Sequence, residues 1–192
     1  MKDWENFHNI TKDIPPRKNV IDFINTYKLV GDAIDLGCGA GNDTVYLIKN
    51  NWNVLAIDGT NSEMQIRNKL SNKEQEKLTF QVQNFENLKL KKVDLIIANN
   101  SLPFCNKEYF YKMWKEISFN IKSNGFFVGN FFGLNDEWNI GGSQKTFLSK
   151  KSAIALFKDF EIIKFLEIEK DRPSALGVMK HWHMFEIVAR KI

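Results

Sequence analysis

Short apolar runs alternate with amphipathic stretches along most of this chain. Asp32 to Leu36, Val54-Leu55-Ala56-Ile57-Asp58, Leu78-Thr79-Phe80-Gln81-Val82, Val93-Asp94-Leu95-Ile96-Ile97-Ala98 and Phe126 to Phe132 read as strands. The fourth run is nearly continuous, as a strand covered on both faces requires. Between the runs the apolar positions take helical spacing. They do so from Val20 to Leu29, from Gly41 to about Asn50, from Ser62 to Leu70, and from Tyr109 to Ile121, where Ser123-Asn124-Gly125 stops the pattern. Thr60 and Glu63 have the spacing of a capping box. Regular strand–helix alternation implies an α/β chain: a mostly parallel sheet, right-handed crossovers and helices on both faces.

The tail departs from this rhythm. Ser152 to Lys158 is helical, but Phe160 to Glu169 and His181 to Ala189 are strand-like with no helix between them. Lys170 to Lys180 is too short for a crossover helix, so these last two strands are expected to be antiparallel. Leu134 to Lys145, rich in Asn and Gly, reads as a loop inserted near a site.

Composition narrows the class without changing the picture. At 192 residues, 43% hydrophobic and 26% charged, the chain reads as one globular domain. A net charge of +4, spread over both signs, gives no electrostatic footprint for nucleic acid. No apolar stretch approaches a membrane span, and the charged N-terminus has no signal-peptide core. The two cysteines, Cys38 and Cys105, form no CxxC or metal-ligand cluster, so no metal is expected and a reduced, cytoplasmic protein is the simpler reading.

The chemistry lies at the strand ends. Asp35-Leu36-Gly37-Cys38-Gly39-Ala40-Gly41 follows the first strand and opens the first crossover helix. A dinucleotide fingerprint needs its third glycine at position 42, where Asn42 stands. The acidic Asp35 at the strand end serves a pyrophosphate poorly and a cationic ligand well. Asp58, followed by Gly59, ends the second strand about 20 residues on, where an acid accepts hydrogen bonds from ribose hydroxyls. After the third strand, Asn84 offers a carbonyl oxygen and Phe85 a ring to pack on a base. Asn99 and Asn100 end the fourth strand, either as ligand contacts or as turn residues. His181 and His183 share one face of the last strand; they supply a general base or bond to neighbours, and both readings stay open.

Asp35 through Leu47, the acid at Asp58, Pro15-Pro16-Arg17, Ser101-Leu102-Pro103-Phe104-Cys105 and Lys180-His181-Trp182-His183 together resemble class I S-adenosylmethionine (SAM) methyltransferases. They are most similar to the small stand-alone bacterial enzymes grouped with the tellurite-resistance and thiopurine methyltransferases. The resemblance covers nearly the whole chain. It implies a Rossmann-like sheet of seven strands with an antiparallel C-terminal strand, SAM as cofactor and S-adenosylhomocysteine as product. It also implies a cofactor site drawn from Arg17, Asp35, Gly37, Cys38, Gly39, Gly41, Asp58, Gly59, Asn84, Phe85 and Asn99. Residues 1–30 would form a lid, with Trp4, Phe7 and Tyr27 as its aromatic surface and Arg17 as a fork for the cofactor carboxylate. Trp4 reads as a packing residue rather than a substrate contact. His181, His183 and Asn100 are the catalytic candidates. The expected acceptor is a small molecule with a thiol, chalcogen oxyanion or other O, N or S nucleophile. An RNA or protein acceptor, or a non-catalytic SAM-binding module, are the alternatives. Asn99-Asn100-Ser101-Leu102 lacks the Asn/Asp-Pro-Pro-aromatic pattern of aminopurine and glutamine methyltransferases, which argues against those substrates. Oligomeric state is not legible.

Overall fold

A computed structural model describes residues 4–192. The first three residues of the expected lid lie outside that range. Two helices, α1 (Trp4–Thr11) and α2 (Lys18–Tyr27), precede the alternating part: β1 (Asp32–Leu36), α3 (Asn42–Lys49), β2 (Asn53–Asp58), α4 (Glu63–Arg67), α5 (Asn72–Gln75), β3 (Leu78–Val82) and β4 (Val93–Ala98). Next come α6 (Phe110–Asn120), β5 (Ile121–Gly133), the two-residue β6 (Phe147–Leu148), α7 (Lys150–Ala155), β7 (Phe160–Pro173) and β8 (Met179–Lys191).

The sheet runs β3-β2-β1-β4-β5-β8-β7, with β6 paired beside the end of β5. β8 is antiparallel to both neighbours and every other pairing is parallel. The expected architecture is therefore present, with β6 as an additional short strand.

Strand periodicity builds a core on each face. Ile34, Leu36, Ile96, Ala98, Phe127 and Phe131 face one layer, packed against Phe110, Met113, Trp114 and Ile117 of α6. Ala33, Leu95, Ile97 and Val128 face the other, against Val20, Phe23 and Ile24 of α2 and Val45, Leu47 and Ile48 of α3. Tyr27 belongs to this second layer, edged against Phe23 and Phe126 rather than contributing to a lid.

Two local readings are revised. The helix expected from Ser62 to Leu70 ends at Arg67, and Thr60 and Glu63 form no capping box. Ser62 precedes that helix, but its hydroxyl donates to the Gly39 carbonyl at 2.7 Å, joining the helix to the glycine loop. The capping box forms one element later, between Ser71 and Glu74. The last two strands are also longer than expected. They extend as a hairpin beyond the end of β5, whose Phe132 pairs with Met184.

β1 and β4 are neighbours although β2 and β3 lie between them in sequence. Chain direction across the sheet reverses its order at this pair. The crevice outside the carboxyl ends of such a switch point is where open α/β sheets bind ligands.

Candidate active site

The glycine loop turns at that point. Gly37 and Gly41 have φ of +70° and +75°, a region side chains rarely adopt. Space forbids a side chain at both as well: a Cβ on Gly37 would collide with Ser101, and one on Gly41 with Ile66. Gly41 thereby lets the loop lie against α4 while α3 begins at the next residue. The loop is tied to β2 by Asp58, which accepts from the Gly39 N–H at 2.9 Å through one oxygen and from the Thr60 N–H at 2.9 Å through the other. Each oxygen retains a second lone-pair site.

Three carboxylates surround the loop. Asp35 is buried, and burial first, then the charges of Asp43 and Asp58, push it up to about 8 against the Thr44 hydroxyl that donates to it at 2.6 Å. Burial also raises Asp43, opposed by the Arg17 backbone N–H at 2.6 Å, by the Asn99 amide at 3.1 Å and by the Arg17 charge. A cationic ligand relieves exactly this kind of like-charge crowding. Cys38 is held well above its usual range by burial and by Asp35 and Asp58, so it is a small inert thiol in the loop. Both cysteines are free, and burial pushes Cys105 up to about 12.

The N-terminal segment lies across this crevice. His8 of α1 is buried, with its ring 3.8 Å from where a Gly39 Cβ would sit and its Nε2 3.9 Å from Asp58 Oδ1. Asn42 donates to the Thr11 carbonyl at 2.8 Å, and Lys69 Nζ donates to the carbonyls of Lys12 and Ala40 and to Asn42 Oδ1 at 2.7–2.9 Å. The side chain of Arg17 is exposed; its backbone makes the link to Asp43. Asn84 approaches Gly59, its Oδ1 3.1 Å from a Cβ there, and the Phe85 ring edge lies 3.3 Å from a Cβ on Gly37. Asn99 is engaged at both ends of its amide, by Asn19 at 2.7 Å and by Asp43.

Residues 33–125 match the methyltransferase domain family. That stretch is just under half of the chain, and it is similar to a methyltransferase domain. Among solved structures, TehB from Haemophilus influenzae superposes with a TM-score of 0.76 at 18% identity, over 92% of this chain and 62% of that one. The chain thus spans under two thirds of TehB's length. The Burkholderia thailandensis 1,6-didemethyltoxoflavin-N1-methyltransferase, solved with 1,6-didemethyltoxoflavin and S-adenosylhomocysteine, gives 0.72 at 17% identity over 98% and 83%. The glycopeptide N-methyltransferase MtfA gives 0.65 at 12% over 92% and 96%. At these identities the likeness is one of fold. A comparison with curated protein sequences gives no match.

SAM is the cofactor that the resemblance implies, and the crevice fits it. Ser101 Oγ is buried at the Gly37 turn with no hydrogen-bond partner among the described residues, a free polar group aimed at the switch point. The carboxylate cluster suits a ligand with a sulfonium and an ammonium group. Sequence reasoning passed over His8, Ser101 and Lys69. Only Ser101 had a signal, as part of the segment that follows β4; His8 and Lys69 reach the loop through long-range packing.

The side toward β5 and the hairpin is built differently. Asn100, at φ +52°, exchanges hydrogen bonds with Asn130 of β5: its N–H donates to Asn130 Oδ1 and its Oδ1 accepts from Asn130 Nδ2, both at 2.6 Å. The pair locks the turn after β4. His183 is buried, accepting the Asn135 N–H on Nδ1 at 3.0 Å, which leaves Nε2 to donate to Glu167 at 3.2 Å. His181 sits between Asp171 at 2.7 Å and Glu169 at 3.4 Å, and these bonds raise its pKa. Both imidazoles project from the opposite face of β8 to Trp182 and Met184. They belong to the ion pairs of the hairpin, away from the aromatic cluster that Trp182 and Met184 form with Phe132, Phe104 and Trp138.

Beside that cluster opens a cavity of about 610 Å³, lined among the described residues by Trp4, Phe104, Trp138 and the 140–145 loop. Trp4, expected to be a packing residue, thus lines a cavity. Trp4 and His8 stand four residues apart on α1, on one face of the helix. One looks into the cavity and the other at Asp58, so the helix bridges crevice and cavity. Behind Trp138, the Lys180 ammonium is buried with Asp136 and lies 4.4 and 4.0 Å from the Trp138 and Trp182 ring centres. Among the described residues, no group of three His, Cys, Asp or Glu is arranged to hold a metal ion, and no helix is long and apolar enough to cross a membrane.

Proposed function

We propose that the chain acts as one domain that transfers the SAM methyl group to a small-molecule acceptor. The observation that carries this reading is the adjacency of the glycine-loop crevice and the aromatic cavity, which α1 joins. Asp58 would take the ribose hydroxyls, the Gly37–Gly41 backbone and Asp35 the methionyl end, and Asn84 and Phe85 the adenine. Gly59 and Cys38 would allow close approach, Ser101 would supply a hydroxyl, and Arg17 a cation for the carboxylate at the open edge. Bound there, the cofactor supplies an already activated methyl group. The protein's own work is then positioning, which can lower a barrier by about 7–11 kcal/mol.

The cavity supports a small acceptor. Its volume falls within the usual range for small-molecule sites, and three aromatic rings share its walls with the polar 141–145 loop. Its described lining has no carboxylate and no histidine, which favours an acceptor already nucleophilic, such as a thiolate or a chalcogen oxyanion. The 1,6-didemethyltoxoflavin enzyme, a structural neighbour, acts on a molecule of this scale.

The test is calorimetry with SAM and S-adenosylhomocysteine, followed by an assay for released S-adenosylhomocysteine across thiols, chalcogen oxyanions, phenols and amines. Micromolar binding with turnover on one class is expected. Absence of binding by either ligand would reject the reading. Binding without turnover on any class would point to a non-catalytic SAM-binding module.

A further inference from the structure

The aromatic cavity carries one described ionisable group. Lys145 Nζ lies 5.1 Å from the Trp138 ring centre and 5.8 Å from that of Phe104. Among the described residues no carboxylate lies within ion-pair reach of it. The neighbouring Lys180 is different: Asp136 balances its charge, and both side chains are sealed from solvent. Among the described residues, the cavity therefore presents a positive charge with no carboxylate partner against aromatic walls.

Ring faces alone would attract a cation. Here a resident ammonium already occupies that role, so a cationic guest meets repulsion in a partly desolvated space, where charge interactions are strengthened. An anionic guest meets attraction. The shape adds a second restriction. Phe104 and Trp138 stand 6.0 Å apart, and Trp4 meets Phe104 edge-on at 5.4 Å, distances at which a further ring joins by edge or offset contacts. Gly141 and Gly142 leave the facing wall without side chains, with nothing within 4 Å of where a Cβ would stand.

We infer that the acceptor is a planar aromatic molecule carrying an anionic group, held by the Trp4–Phe104–Trp138 surface and selected by Lys145. The inference rests on the methyl-transfer reading above and names the substrate class of that site. Lys145 is a specificity-determining residue in it.

The experiment measures binding of three probes by tryptophan fluorescence, with and without S-adenosylhomocysteine: 2-mercaptobenzoate, its methyl ester, and 3-mercaptopropionate. The first combines ring and carboxylate, the second lacks the carboxylate, and the third lacks the ring. The expected result is that 2-mercaptobenzoate binds about tenfold more tightly than either comparator, as one partly shielded charge pair or one ring contact would give. Lys145→Ala should abolish its advantage over the ester, Lys145→Arg should keep it, and neither should move S-adenosylhomocysteine affinity more than about threefold. Trp138→Leu should weaken both aromatic probes while leaving 3-mercaptopropionate unchanged; its melting temperature reports whether the cavity wall has kept its fold. Equal binding of the three probes, or an advantage over the ester that survives Lys145→Ala, overturns the inference. Failure of S-adenosylhomocysteine to bind strikes the methyl-transfer reading instead, because probe discrimination is measured without it.

Discussion

The crevice and the cavity lie at the same edge of the sheet but are made by different means. The crevice is short-range and polar: within 25 residues, the Asp35–Gly41 loop meets Thr44 and Asp58, and nearly every polar group has a named partner. The cavity is long-range and aromatic: Trp4, Phe104, Trp138 and Lys145 come from three separate parts of the chain. A site for a fixed cofactor can be written into one loop. The cavity proposed for the acceptor is assembled from α1, the turn after β4 and the loop after β5. The two should therefore fail independently.

The largest expected effect lies behind the cavity. Lys180→Ala leaves Asp136 buried without its partner, which costs about 3–5 kcal/mol. Chemical denaturation should show that loss, and the surviving folded protein should bind S-adenosylhomocysteine within about threefold of the parent. A stability change under 1 kcal/mol would mean that the pair opens to water. Asp58→Ala is the mirror experiment. It should weaken S-adenosylhomocysteine by roughly 100-fold, as loss of two charge-assisted hydrogen bonds predicts, while 2-mercaptobenzoate still quenches tryptophan fluorescence. Parallel loss of both ligands would merge the two sites into one.

Gly37→Ala adds strain and a collision with Ser101, for a loss of about 1–3 kcal/mol. Ser101→Gly in the same chain should recover the collision but not the positive-φ strain. Simple additivity of the two changes would show that they do not meet.

The smallest effect is a pH slope. The Asp35 carboxyl is raised to about 8, so the native state holds a proton that the unfolded chain has released. Stability from this group is present at and below the ordinary carboxylate range and is lost as pH climbs to about 8. Cofactor-free protein should lose melting temperature steadily between pH 5 and pH 8. Asp35→Asn should flatten that slope while weakening SAM, and an unchanged slope would move its origin elsewhere.

The pattern of apolar runs alone located seven of the strands, β1, β3 and β4 to the residue, and the glycine spacing with Asp58 located the crevice. These were legible because each depends on neighbours in sequence: period two for a buried strand, positive φ for a glycine, an acid at a strand end. Where sequence reasoning slipped, a distant partner had intervened. Ser62 served Gly39 instead of a capping box, Tyr27 joined the core layer of Phe126, and Asn100 was claimed by Asn130.

The sequence by itself determined the sheet, its antiparallel closing strand and the donor loop, because secondary structure and tight turns are set by local sterics and periodicity. Only the tertiary structure decided that His8 faces Asp58, that His181 and His183 turn away from the aromatic cluster, and that Lys145 stands over Trp138 and Phe104. Those facts depend on which side chains meet across tens of residues, and no local rule fixes such encounters.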